Sequence, residues 1–101
     1  MATVNIVFGV QHDLNGDTPV LLKRAQEDIT SSGTSQATTA TADSRKAAPA
    51  PVAQITVSGG NVRVDHGATP TVTATTGYLI LDGQTRDIGI QPGDAIAVID
   101  A

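Results

Sequence analysis

The chain has 101 residues, a formal net charge of −4, Phe8 and Tyr78 as its only Phe, Tyr or Trp, and no cysteine. The missing thiols exclude a disulfide scaffold and a cysteine-based zinc site, and two aromatic rings are poor material for stacking on sugars or bases. No basic cluster exceeds the pairs Lys23-Arg24 and Arg45-Lys46, which argues against binding nucleic-acid phosphates, and no apolar run approaches the ~20 residues of a helical membrane span. The length fits one domain with extra segments. The opening MATVNIVFGVQHD lacks the basic region and apolar core of a signal peptide, so a soluble, acidic product that is cytosolic at synthesis is expected.

In chain order, Val4, Ile6 and Phe8 alternate with other residues and predict a strand over Thr3 to Val10. Asn15-Gly16 is a tight-turn pair, and Thr18 to Leu22 reads as a short return strand whose Pro19 places it at an edge or a strand start. Residues 1–27 are therefore expected to form a peripheral hairpin or, in the competing picture, an extended arm that pairs with another subunit. Residues 29–52, rich in Ser, Thr, Ala and Pro, read either as a linker or as a weakly apolar strand around Gln36 to Thr41. Ala47 to Pro51 is expected to be extended.

The second half is built from short β-branched runs about ten residues apart. Ile55 and Val57, Val62 and Val64, Ile88 and Ile90, and Ile96 and Val98 each supply one apolar face of a strand. Ser58-Gly59-Gly60-Asn61 is expected to close a hairpin between Ala53–Val57 and Val62–Asp65. Thr71 to Thr75 is extended, Gly77 interrupts it, and Tyr78 to Leu81 is an apolar run expected to lie buried or at a contact. Asp82-Gly83 and Pro92-Gly93-Asp94 are turns. No stretch keeps a helical period, so the expected class is all-β: a small antiparallel β-sandwich or jelly-roll-like barrel over residues 28–101, with the tract 30–52 included and the N-terminal arm or hairpin attached.

Residues capable of chemistry are few. Asp13, Asn15 and Asp17 alternate as in calcium loops, but Gly16 falls fourth rather than sixth, and Arg24 stands where a bidentate Glu belongs; whether they hold a cation stays open. Asp65-His66 pairs a carboxylate with a general base, with no nucleophile motif beside it. Ser32-Gly33 and Ser58-Gly59-Gly60 do not lead into helices, as a phosphate cradle requires. Asp82 and Asp87 with Arg86 read as a solvated charged edge rather than a carboxylate pair. No catalytic residue, metal ligand or cofactor site is assigned, and a non-enzymatic protein is expected.

One ordered pattern carries a resemblance. It runs through Thr30-Ser31-Ser32-Gly33-Thr34-Ser35-Gln36, then Gly60-Asn61-Val62-Arg63-Val64-Asp65-His66-Gly67-Ala68-Thr69-Pro70-Thr71, then Tyr78-Leu79-Ile80-Leu81, then Ile90-Gln91-Pro92-Gly93-Asp94-Ala95-Ile96-Ala97-Val98-Ile99. Over residues 28–101 this order resembles small tailed-bacteriophage virion proteins; residues 1–27 have no counterpart in it. The resemblance implies a β-sandwich on the virion capsid surface, a decoration or cement protein that contacts the major capsid protein and copies of itself in a trimer or other symmetric oligomer. It carries over no catalytic residue. A tail or neck accessory role and a carbohydrate- or receptor-binding module are the alternatives.

Overall fold

The computed structural model describes residues 1–14, 18–42 and 51–101, with the side chains of 11–14 and 18–22 outside that description. The Asn15-Gly16 turn, Asp17, the Arg45-Lys46 pair and Ala47 to Ala50 lie outside the described residues, and so does the side chain of Asp13. Eight strands make up the fold: β1 (Thr3–Leu14), β2 (Thr18–Thr30), β3 (Gln36–Ala37), β4 (Pro51–Ser58), β5 (Val62–Gly67), β6 (Tyr78–Ile80), β7 (Thr85–Gly89) and β8 (Ala95–Asp100). They form two antiparallel four-stranded sheets, ordered β2-β1-β4-β7 and β3-β8-β5-β6. The class is all-β and the architecture a sandwich; the sheets do not close into a barrel.

Alternation builds the core. Val4, Ile6 and Phe8 of β1, Ala53, Ile55 and Val57 of β4, and Ile88 of β7 point inward from the first sheet. Val62 and Val64 of β5, Ile80 of β6, and Ile96 and Val98 of β8 meet them from the second. Pleated strands send successive side chains to opposite faces, so one apolar set per strand is enough to join two layers.

The two sheets differ on their outer faces. On the second, β8 is buried on both sides, because the segment after β5 folds back and sets Val72 against Ala97 and Ile99. Gly77 makes that return possible. It has φ +81, and a Cβ there would overlap the carbonyl oxygen of Val64 and stand 3.1 Å from both the Val64 carbonyl carbon and Val72 Cγ2. Among the described residues nothing covers the outer face of the first sheet in this way: Thr3, Asn5, Val7, Gln26, Asp28, Thr30, Gln54, Thr56, Ser58, Thr85 and Asp87 on it are all exposed or half-exposed.

Three expectations need correcting. First, β1 is not peripheral: it lies between β2 and β4, and residue 27 falls inside β2, so no boundary separates residues 1–27 from the sandwich. Three buried side chains, Val4, Ile6 and Phe8, hold it there. Second, Ser58 to Asn61 does not close a hairpin. β4 and β5 belong to different sheets, and the link carries the chain across the sandwich. Asp82-Gly83 and Pro92-Gly93-Asp94 are crossings of the same kind, from β6 to β7 and from β7 to β8.

Third, of the two readings of the run Tyr78 to Leu81, buried or at a contact, the first is corrected: only Ile80 is buried, while Tyr78, Leu79 and Leu81 are 37%, 39% and 49% exposed. β6 is a three-residue edge strand: Ile80 faces the core, Leu79 alternates to the other face of the sheet, and Leu81 lies beyond the strand. The tract 29–52, open between linker and strand, gives in its described part the two-residue β3 and a strap, residues 38–42, bonded along the end of β8. Thr38 N–H donates to Ile96 O at 2.8 Å, Ile96 N–H donates to Thr38 Oγ1 at 3.1 Å, and Ala42 N–H donates to Asp94 O at 2.8 Å. Glu27 of β2 fastens the strap from the other sheet by accepting the N–H groups of Thr39 and Ala40.

Candidate functional site

The polar residues singled out from the sequence fall into three places. At the end of β5, the Asp65 carboxylate accepts the backbone N–H of His66 at 2.8 Å and does not hold the imidazole. The ring's partner is Asp94, whose Oδ2 stands 2.9 Å from His66 Nδ1 and also accepts Gln91 N–H at 3.0 Å. The pairing of Asp65 with the imidazole is thus corrected to Asp94 with the imidazole. Sequence distance hid it, since the two residues are 28 apart and meet only because β5 and β8 are neighbours.

Asp94 is buried, and its bond to Gln91 N–H fixes the crossing turn at Gln91 to Asp94, reinforced by Asp94 N–H donating to Gln91 O. An orienting carboxylate on a half-exposed imidazole is two parts of a base–orienter relay. Among the described residues no hydroxyl is hydrogen-bonded to the ring as a nucleophile would be, and no group of three His, Cys, Asp or Glu side chains is placed to hold a metal ion. What the pair does chemically is tie β5 to the turn that feeds β8 and to the strap that bonds Asp94 O.

Beside it runs a row of flat groups. The His66 and Tyr78 rings are stacked with centroids 6.4 Å apart, and the Arg86 guanidinium lies 5.1 Å from the Tyr78 centroid. Arg86 Nη1 also donates to Leu79 O, and Gln84 Oε1 accepts Leu81 N–H. Side chains of the β6–β7 link and β7 thereby occupy main-chain groups along β6, closing that rim of the sandwich. Arg86 therefore engages β6 rather than Asp82 or Asp87. Asp82 accepts Gly59 N–H at 2.9 Å and donates its own N–H to Asn61 Oδ1, lacing two of the crossings together. Gly59 and Gly60 serve that junction, not a phosphate cradle.

The third place is where β2 ends. Ser31 is fully buried; its hydroxyl donates to Asp100 Oδ1 and accepts Ala2 N–H at 2.8 Å, while Ser31 N–H donates to Ala2 O. Sequence reading missed this knot, because a Ser in a Ser/Thr-rich tract gives no sign of being the buried one. Ser32, next along, binds within its own loop to Thr34 and Gln36. The candidate cation group Asp13, Asn15 and Asp17 lies outside the described residues or their side chains.

The remaining feature is one of shape. β1 pairs with β4 only as far as Val10 opposite Pro51, while the β1–β2 ladder continues to Leu14 opposite Thr18. Among the described residues, Gln11 to Leu14 pair with β2 alone, so a two-stranded ribbon overruns the four-stranded sheet. The molecule's 42 Å long dimension is close to the ~40 Å that twelve extended residues span. No protein-family model matches the chain, and searches of curated proteins and of solved structures return no similar protein.

Proposed function

We propose that the chain is a structural binding module: a virion protein that attaches to the outer surface of a phage capsid and reinforces it. The observation that carries this reading is the ribbon beyond Val10 and Pro51. An isolated two-stranded ribbon is marginal in water, and one joined to a packed body is suited to lie against a neighbouring chain, where strand edges supply main-chain hydrogen bonds with little demand on side-chain identity. The phage-like order of motifs across residues 28–101 supports the capsid as the partner. Many equivalent sites on a shell would then multiply a modest single contact.

The test replaces Gln11–Leu21 by Asn-Gly, which retains the Val10–Leu22 pair and the whole core of β1. A truncation of residues 1–22 would be uninformative, since it deletes Phe8, Ile6 and Val4 from the core. The shortened chain is expected to keep its β-sheet circular dichroism and to lose cosedimentation with particles. Undiminished cosedimentation would remove the ribbon from the binding surface. A second reading, glycan or receptor binding, is favoured by one observation: the uncovered outer face of the first sheet is lined by amides and hydroxyls such as Asn5, Gln54, Thr56 and Thr85. Binding on a glycan array, lost in Gln54→Ala, would select it.

A further inference from the structure

The four sheet edges are not equally closed. β3 has two residues, and β6 has Leu79 O and the adjoining Leu81 N–H taken by Arg86 and Gln84. β7 has five residues with Asp87 at their centre, so pairing with its own copy about that centre would bring two carboxylates together. β2 is the exception: thirteen residues long, at the end of its sheet, with no described strand on its outer side.

Its sequence and its bulge are both self-complementary. Phe8 stands opposite Ala25 and Gly9 opposite Lys23, so Arg24 is the extra residue of a β-bulge. The bulge moves Lys23 onto the same outer face as Gln26 and Asp28, as the Lys23 Nζ to Gln26 Oε1 bond of 3.2 Å shows. A second copy of β2, related by a two-fold axis perpendicular to the sheet, must place residues of one face opposite residues of the same face. Centred on Gln26, the register reads Gln26 opposite Gln26, Ala25 opposite Glu27 and, across the bulge, Lys23 opposite Asp28, with the continuation reaching Leu21 opposite Thr30. The symmetry supplies the Lys23–Asp28 pair twice. A bulge and a lysine on an edge normally discourage strand addition; here they discourage strands that lack an acid at the matching position.

We propose that β2 is a homodimer edge, at which a second copy of this chain adds antiparallel to form one continuous eight-stranded sheet. Nine paired residues per chain, Leu21 to Thr30 without the bulged Arg24, give about nine main-chain hydrogen bonds, within the range of a standard-size interface. The proposal goes beyond particle binding and does not depend on it, since it concerns the purified chain alone.

The experiment is sedimentation equilibrium of the full chain from micromolar to near-millimolar concentration, with circular dichroism as the folding check on each variant. A dimer is expected. Lys23→Glu and Asp28→Lys are each expected to raise its dissociation constant roughly tenfold or more, because two attractive cross-strand pairs become repulsive. The double variant restores it. The chain has no natural cysteine, so Gln26→Cys gives an independent readout: a disulfide-linked dimer under mild oxidation, which Asp87→Cys does not form. A monomer throughout, a trimer, a dimer indifferent to the charge reversals or unrestored by the double variant, or cross-linking at position 87 instead of 26 would each overturn the proposal.

Discussion

Replacing Gly77 by Ala tests whether the cover over the second sheet is set by one backbone position. The added Cβ meets the Val64 carbonyl, which is ladder backbone and cannot rotate away, as well as Val72 Cγ2 at 3.1 Å. The φ of +81 alone costs a residue with a Cβ roughly 1–2 kcal/mol. Relief of the overlap requires the segment to lift off the sheet. That exposes Val72, now 2% accessible, and uncovers Ala97 and Ile99. Exposing one Val or Ile side chain in full costs about 1.5–3 kcal/mol, so strain plus partial loss of the cover comes to about 3–5 kcal/mol.

Urea unfolding measures this directly, followed by far-UV circular dichroism because the chain has no Trp. With a slope of about 1–2 kcal/mol per molar urea, the midpoint should fall by about 1.5 M or more. The control is Gly89→Ala, at an exposed edge position where a Cβ meets nothing within 4 Å; it should stay within about 0.5 kcal/mol of the parent. If the two variants unfold at the same urea concentration, the close approach of Gly77 to Val64 does not exist in solution, and the account of the covered face fails.

Three further outcomes follow from the packing. Phe8→Ala empties the largest fully buried side chain and should destabilise by about 3–5 kcal/mol in the same titration; a loss under about 1 kcal/mol would mean that β1 is not part of the core. Asp94→Ala leaves Gln91 N–H without its acceptor as well as freeing His66, so it should cost about 1–3 kcal/mol. His66→Ala, which keeps the Gln91 bond, should cost less, and the reverse ranking would show that the imidazole rather than the turn is what Asp94 secures. Ser31→Ala removes the acceptor of Ala2 N–H and the donor to Asp100, with an expected loss of about 1–3 kcal/mol and faster amide exchange at Ala2. Parent-like exchange at Ala2 would contradict the buried bond.

Little of the candidate site could be read before the fold was known. His66 was legible as a residue worth weighing, but its carboxylate was assigned to the neighbour in sequence, because adjacency is all that a linear chain displays. Asp65 is held by its own backbone geometry, and Asp94 reaches the ring only through the β5–β8 ladder. Ser31 and Glu27 gave no signal at all: both act on backbone groups of segments brought close by tertiary packing. The overrunning ribbon was partly visible as a strand, a turn pair and a return strand; its attachment through β1 to the middle of a sheet was not.

The sequence by itself determined that the protein is all-β and which residues of the alternating Val, Ile and Phe runs face the interior. Period-two alternation of Val, Ile and Phe can be satisfied only by extended backbone with one face buried, and this is a local property of each run. It did not determine which sheet each run joins. Ser58-Gly59-Gly60-Asn61 serves equally well to reverse a strand beside its neighbour or to carry it across to the opposite layer, since both need a short, glycine-rich change of direction. The choice between them is made by hydrogen-bond partners far away in the chain, β1 for β4 and β8 for β5, and by the inter-sheet contact of Phe8, Ile55, Val64 and Ile96 that forms only when both layers are present.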